Sequence, residues 1–161
     1  MIYFTTFILA FFLSQIARAE PQACGDVIPP ESPTPVEQFN IPLAASTVVA
    51  YNHKYDNPYA STNSVACWNL SLQHPEFHNF PYFPRIGGAF DIGLSPGPNC
   101  GKCWKLTYLE RGRSIVITAI DHAVHGFVLS EAAFMQLKGG PLGPPLENVQ
   151  YLNVPRDDCG L

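Results

Sequence analysis

The stretch Cys103-Trp104-Lys105-Leu106-Thr107-Tyr108, followed after Gly112 by Ser114-Ile115-Val116-Ile117-Thr118-Ala119-Ile120-Asp121, decides the fold class. Its first half alternates roughly between apolar and polar residues, the period of a half-buried strand. Its second half is rich in β-branched residues and nearly continuous, as expected of a strand buried on both faces. Gly112 sits in the turn that follows the first half.

Outward from this pair, residues 47–51 (Thr-Val-Val-Ala-Tyr) read as an earlier strand and residues 64–67 (Ser-Val-Ala-Cys) as a second short extended piece. Gly87-Gly88 marks a tight bend or a close backbone approach, before the short apolar run 89–92. Downstream, residues 127–129 and 149–154 are further strand segments. Between them, Ser130 can cap a helix that residues 132–137 propagate and Gly139-Gly140 end. Short strands with one helix indicate a mainly β chain, a barrel with a helical insertion. The pattern does not give the strand order.

Residues 2–13 are almost wholly apolar, and Ala17-Arg18-Ala19 supplies the small-x-small pattern of a signal-peptidase site. The run is shorter than the roughly 20 residues a membrane helix needs. We therefore expect a signal peptide over 1–19, a proline-rich tail over 20–45 and one folded domain over 46–161. Secretion to the extracellular space or cell wall follows. The 13 acidic and 9 basic residues give a net charge of −4, one unit more negative once Arg18 is removed. So acidic and sparsely charged a chain is poorly matched to nucleic acid or an anionic membrane.

Five cysteines are present: Cys24, Cys67, Cys100, Cys103 and Cys159. In an oxidising compartment they pair, and an odd number leaves one over. Cys24, beside the proline-rich tail, is the expected odd one. The domain is expected to be a monomer, with Cys24 able to form a disulfide to another chain. The Cys100-Gly101-Lys102-Cys103 element precedes a strand rather than a helix, which argues against a thioredoxin-like redox site. A four-cysteine zinc site normally has two close pairs, and only one is present. Two disulfides, each taking one cysteine of the element to a distant partner, are preferred, and no metal or other cofactor is expected.

Asp121 ends the most apolar strand, where a loop begins. It could act in a cleft, or simply satisfy neighbouring backbone N–H groups. His122 and His125 flank it and could hydrogen-bond a sugar. Tyr51, Tyr55, Trp68, Trp104 and Tyr108 could stack on sugar rings, although strand alternation sends about half of such residues inward. Glycoside hydrolysis normally needs two carboxyl groups facing across the bond. Only Asp121 stands at an obvious strand end, with Glu76 and Asp91 the residues that could complete a pair. Asn69-Leu70-Ser71 is an N-glycosylation acceptor.

Several of these segments resemble, in order, the landmarks of cerato-platanins. They are Val49-Ala50-Tyr51, Ser64-Val65-Ala66-Cys67, Phe83-Pro84-Arg85-Ile86-Gly87-Gly88 and Asn99-Cys100-Gly101-Lys102-Cys103-Trp104-Lys105-Leu106-Thr107. Ser114-Ile115-Val116-Ile117 with Asp121, Gly126-Phe127, Ala133-Phe134 and Val149-Gln150-Tyr151 complete the series. The resemblance implies a six-stranded double-psi β-barrel with one or two short helices, related to the first domain of expansins. It also implies the disulfides Cys67–Cys100 and Cys103–Cys159.

For function, the resemblance implies a secreted fungal protein that binds chitin-type oligosaccharides or other cell-wall polysaccharide. Wall loosening without hydrolysis and recognition by plant receptors as a defence elicitor belong to the same expectation. Asp121, Tyr51, Asn52, His122 and His125 are the expected ligand-binding residues. Departures from the family surround them: Asn52 stands where Asp is usual, and Trp68-Asn69-Leu70-Ser71 replaces a glycine-containing loop. His122-Ala123-Val124-His125 replaces a loop of Ser and Gly. Where expansins and related endoglucanases carry a second acid, this chain has Val128, which cannot transfer a proton, so no catalytic residue is expected. The competing readings are a surface-active or host-interaction protein without sugar binding, and a small glycoside-cleaving enzyme on the same barrel.

Overall fold

The structure is a computed structural model, and it describes residues 45–161. The expected signal peptide, the tail up to residue 44 and Cys24 lie outside the described residues.

Six strands close into a barrel: β1 (Ala45–Tyr51), β2 (Ile86–Ala89), β3 (Lys102–Tyr108), β4 (Arg113–His122), β5 (Phe127–Leu129) and β6 (Leu146–Val154). Around the barrel the order is β1-β5-β2-β4-β3-β6, with β6 pairing back to β1. The pairs β1/β5 and β2/β4 are parallel and the other four antiparallel. This is the six-stranded barrel that the resemblance implies, its sheet mixed, and full closure leaves no sheet edge open among the described residues. The β3–β4 hairpin turns through Gly112 in the left-handed conformation, with φ 59°.

Two apolar cores flank the sheet. Val49, Trp104, Leu106, Ile115, Ile117, Ala119, Phe127, Leu129, Leu146 and Val149 form the larger, joined by Ala133, Phe134 and Leu137 of helix α1 (Glu131–Lys138). The smaller holds Ile86 of β2 and Ile120 of β4 against Tyr55, Val65, Phe77 and Phe80. These last come from a long irregular segment of short 3-10 turns between β1 and β2. Ile117 and Ile120 thus bury opposite faces of one strand, which explains the unbroken apolar run of β4. Each fully buried aromatic of the second core contributes about 1.5–3 kcal/mol, enough to hold the segment on the barrel.

Two local expectations are corrected. Residues 64–67 form no strand: Thr62–Ser64 is a 3-10 turn, and only Val65 is extended before Cys67 caps the next turn. The Cys67 N–H instead bonds the Ile120 carbonyl of β4, next to the disulfide to Cys100 and to Val65, which is buried in the second core. Gly87 and Gly88 lie within β2 rather than in a bend, and the run after Ala89 is a loop. They answer the alternative of close approach. A Cβ on Gly87 would run into the Val128 carbonyl, and one on Gly88 would lie 2.9 Å from the His122 oxygen.

The helix forms as its caps predict. Ser130 Oγ accepts the Ala133 N–H at 3.0 Å, and Gly139 closes the end in the left-handed conformation. Asp56, far away in sequence, accepts the Glu131 and Ala132 N–H groups at 2.8 and 3.1 Å. Side chains therefore satisfy the first three helical amides, and the carboxylate opposes the positive end of the helix dipole. The disulfides pair Cys67 with Cys100 and Cys103 with Cys159, at Cα separations of 5.5 and 5.9 Å. They tie the irregular segment and the C-terminal turn to β3 and the loop before it.

Candidate functional site

β4 delivers Asp121 to its C-terminal end beside Gly88 of β2. The carboxylate is 10% exposed and receives four donors. Lys54 Nζ lies 2.6 Å and the Tyr55 hydroxyl 3.0 Å from Oδ2, while the Ala66 and His122 N–H groups reach Oδ1 at 2.9 and 2.8 Å. A carboxylate offers about four lone-pair sites, so these donors fill it. Burial pushes the Asp121 carboxyl up, but the bonds from Lys54, Ala66 and His122 and the Lys54 charge outweigh it, holding the group below the usual range. The same burial, reinforced by the Asp121 charge and hydrogen bond, raises the Tyr55 hydroxyl far above an ordinary tyrosine. The pair therefore stays as carboxylate and neutral phenol at physiological pH.

Of the residues expected at the site, Asn52 and His122 join Asp121. Asn52 Oδ1 accepts the Lys54 N–H at 2.9 Å, starting the 3-10 turn His53–Asp56 that aims Lys54 at the carboxylate. The His122 ring bonds the Ile92 carbonyl through Nδ1. A carbonyl only accepts, so Nδ1 carries the proton and Nε2 is left to meet a ligand. Tyr51 turns away, its ring 4.8 Å from Phe134 of α1. His125 is exposed on the loop between β4 and β5. Among the aromatics considered for stacking, Trp68 is 55% exposed, whereas Tyr55 and Trp104 are buried.

The two carboxylates considered as partners are engaged elsewhere: Asp91 with Lys102 at 3.0 Å, and Glu76 with His78 at 3.3 Å. Val128 is half-buried and packs against the second core. A depression of about 260 Å³ lined by Leu70, Gln73, His74, Gly101 and Arg156 includes none of the expected ligand residues. Among the described residues no group of three or more His, Cys, Asp or Glu could hold a metal ion.

Sequence reasoning missed Lys54 and Asp56. Asn52 followed two residues later by a polar N–H is a readable turn signal, but nothing local shows that Lys54 meets a residue 67 positions away.

The family model described as Cerato-platanin matches residues 47–161, the barrel from the third residue of β1 onward with both disulfides. The chain belongs to the cerato-platanin family. Cerato-platanin of Ceratocystis fimbriata f. sp. platani is 37% identical over 129 residues, which are 76% of this chain and 96% of that protein. Allergen Asp f 15 of Aspergillus fumigatus is 41% identical over 113 residues, 68% of this chain and 72% of that one. Among solved structures, cerato-platanin 2 from M. perniciosa superposes with a TM-score of 0.69 at 36% identity, covering 73% of this chain and all of its own. The solution structure of the fungal elicitor Cerato-Platanin gives a TM-score of 0.65 at 34% identity, covering 70% and 95%. These cerato-platanins are fungal proteins, and the two disulfides of this chain suit an oxidising, extracellular setting.

Proposed function

We propose that this cerato-platanin is secreted and binds cell-wall polysaccharide of the chitin type without hydrolysing it, at the surface around Asp121. The observation that carries the reading is the state of Asp121. A general acid needs a raised pKa and a second carboxyl group across the bond. Asp121 is instead held ionised by four donors, and the resemblance to expansins puts Val128, which cannot transfer a proton, at the position of their second acid.

The filled carboxylate acts by positioning. It fixes the half-exposed Lys54 ammonium, while Asn52 starts the turn that carries Lys54 and the His122 amide holds the same carboxylate. In this reading Lys54, Asn52 and His122 Nε2 are the groups that meet sugar hydroxyls. Trp68, exposed just beyond the Ala66 amide, supplies a ring for stacking. Recognition by a plant receptor belongs to the same reading, supported by a solved relative described as a fungal elicitor.

Retention of the purified protein on chitin, cellulose and β-glucan, with reducing ends measured alongside, tests it. Retention lost in Asp121→Ala and Lys54→Ala, with no sugar release, is expected. Turnover abolished by Asp121→Asn would show an enzyme instead.

A further inference from the structure

Resting on the secretory reading above, we propose that Asn69 carries an N-linked glycan that covers an exposed apolar side chain, Leu72. Asn69-Leu70-Ser71 is an acceptor triplet, and the structure shows how it is presented. The triplet lies in the 3-10 helix Trp68–Leu72, which starts directly after the disulfide-bonded Cys67. Leu70, its middle residue, turns inward and packs against both apolar cores. Asn69 is exposed.

The helix type gives the second observation. With three residues per turn, side chains at i and i+3 eclipse in a 3-10 helix, so Asn69 and Leu72 stand on the same edge. Leu72 is 94% exposed, the most exposed of the large apolar side chains among the described residues. Leu72 thus presents apolar surface that the described residues leave uncovered, on the edge it shares with Asn69. A sugar chain rooted on Asn69 runs over Leu72 first. The chemistry is a group transfer from a polyprenyl-pyrophosphate-linked oligosaccharide. The anomeric C1–O bond breaks and a C1–N bond forms to Asn69 Nδ2. The lipid pyrophosphate leaves, and one amide proton passes to the medium.

The test is secretory expression of the full chain in yeast, with intact mass read before and after a peptide N-glycanase. The wild type is expected to carry sugar mass that the amidase removes, leaving Asp at position 69. Asn69→Gln and Ser71→Ala should lack it and Ser71→Thr should retain it. Binding of an apolar-surface dye to the secreted proteins tests the cover. Asn69→Gln should bind several-fold more dye than the glycosylated wild type, and Asn69→Gln/Leu72→Ser should return to the wild-type level. Secreted, folded protein with bare Asn69 would overturn the glycan, and dye binding indifferent to Leu72→Ser would overturn the cover. Protein retained in the cells would overturn the secretory reading itself.

Discussion

The Lys54 ammonium lies 2.6 Å from Asp121 Oδ2, linking an exposed turn after β1 to the buried end of β4. Among the described residues it is the one contact of the carboxylate that combines full charge with access to solvent. The Tyr55 hydroxyl and the two backbone amides on Asp121 are structural, while Lys54 can also face a ligand.

Function and stability should therefore separate at these two residues. Lys54→Ala should weaken polysaccharide retention while changing unfolding free energy by about 1 kcal/mol or less, as for partly exposed ion pairs. Asp121→Ala should weaken retention and also cost about 1–3 kcal/mol, because the Tyr55 hydroxyl and the Ala66 amide lose their acceptor. Pull-down and urea titration on the same samples check both.

Acid should act through Asp121. Its folded pKa lies below the unfolded value of about 3.9. Its contribution is thus present above that value and is lost as pH falls through the folded pKa. Unfolding free energy, measured by denaturant from pH 7 to pH 2, should fall below about pH 4. Asp121→Asn should show a shallower decline.

Alkali should act through Tyr55. Its folded pKa is raised, so its contribution is complete below the unfolded value of about 10 and is lost as pH rises toward the folded one. Tyr55→Phe should flatten the loss of stability above about pH 10. At neutral pH it should cost about 0.5–1.5 kcal/mol, for one hydrogen bond. Chemical denaturation from pH 8 to pH 11 reads both effects.

Asp56→Ala should destabilise the domain by about 0.5–2 kcal/mol, comparable to losing a helix N-cap side chain. The Glu131 and Ala132 amides would lose their carboxylate, while Ser130 would still hold Ala133. The urea midpoint should fall with an unchanged slope. Asp56→Asn should recover part of the loss, because an amide oxygen can still accept.

By itself the sequence determined the local elements. β-Branched runs specified β4 and, with alternation, β3. Ser130 and Gly139 bounded α1, since a cap is a bond to an amide only a few residues away. The cysteine pairing was legible only through family resemblance, because five cysteines constrain connectivity without choosing it. The tertiary structure alone decided the barrel order, the placing of Gly87 and Gly88 inside β2, and the surroundings of Asp121. Gly87 is required by a carbonyl of β5, which no neighbour in sequence reveals. Asp121 could be recognised as a carboxylate at a strand end, but its partners Lys54 and Tyr55 lie 67 and 66 residues away. The physical reason is range. Propensity and periodicity act over a few residues, whereas a buried charge takes its partners from whatever chain the closed barrel brings against it.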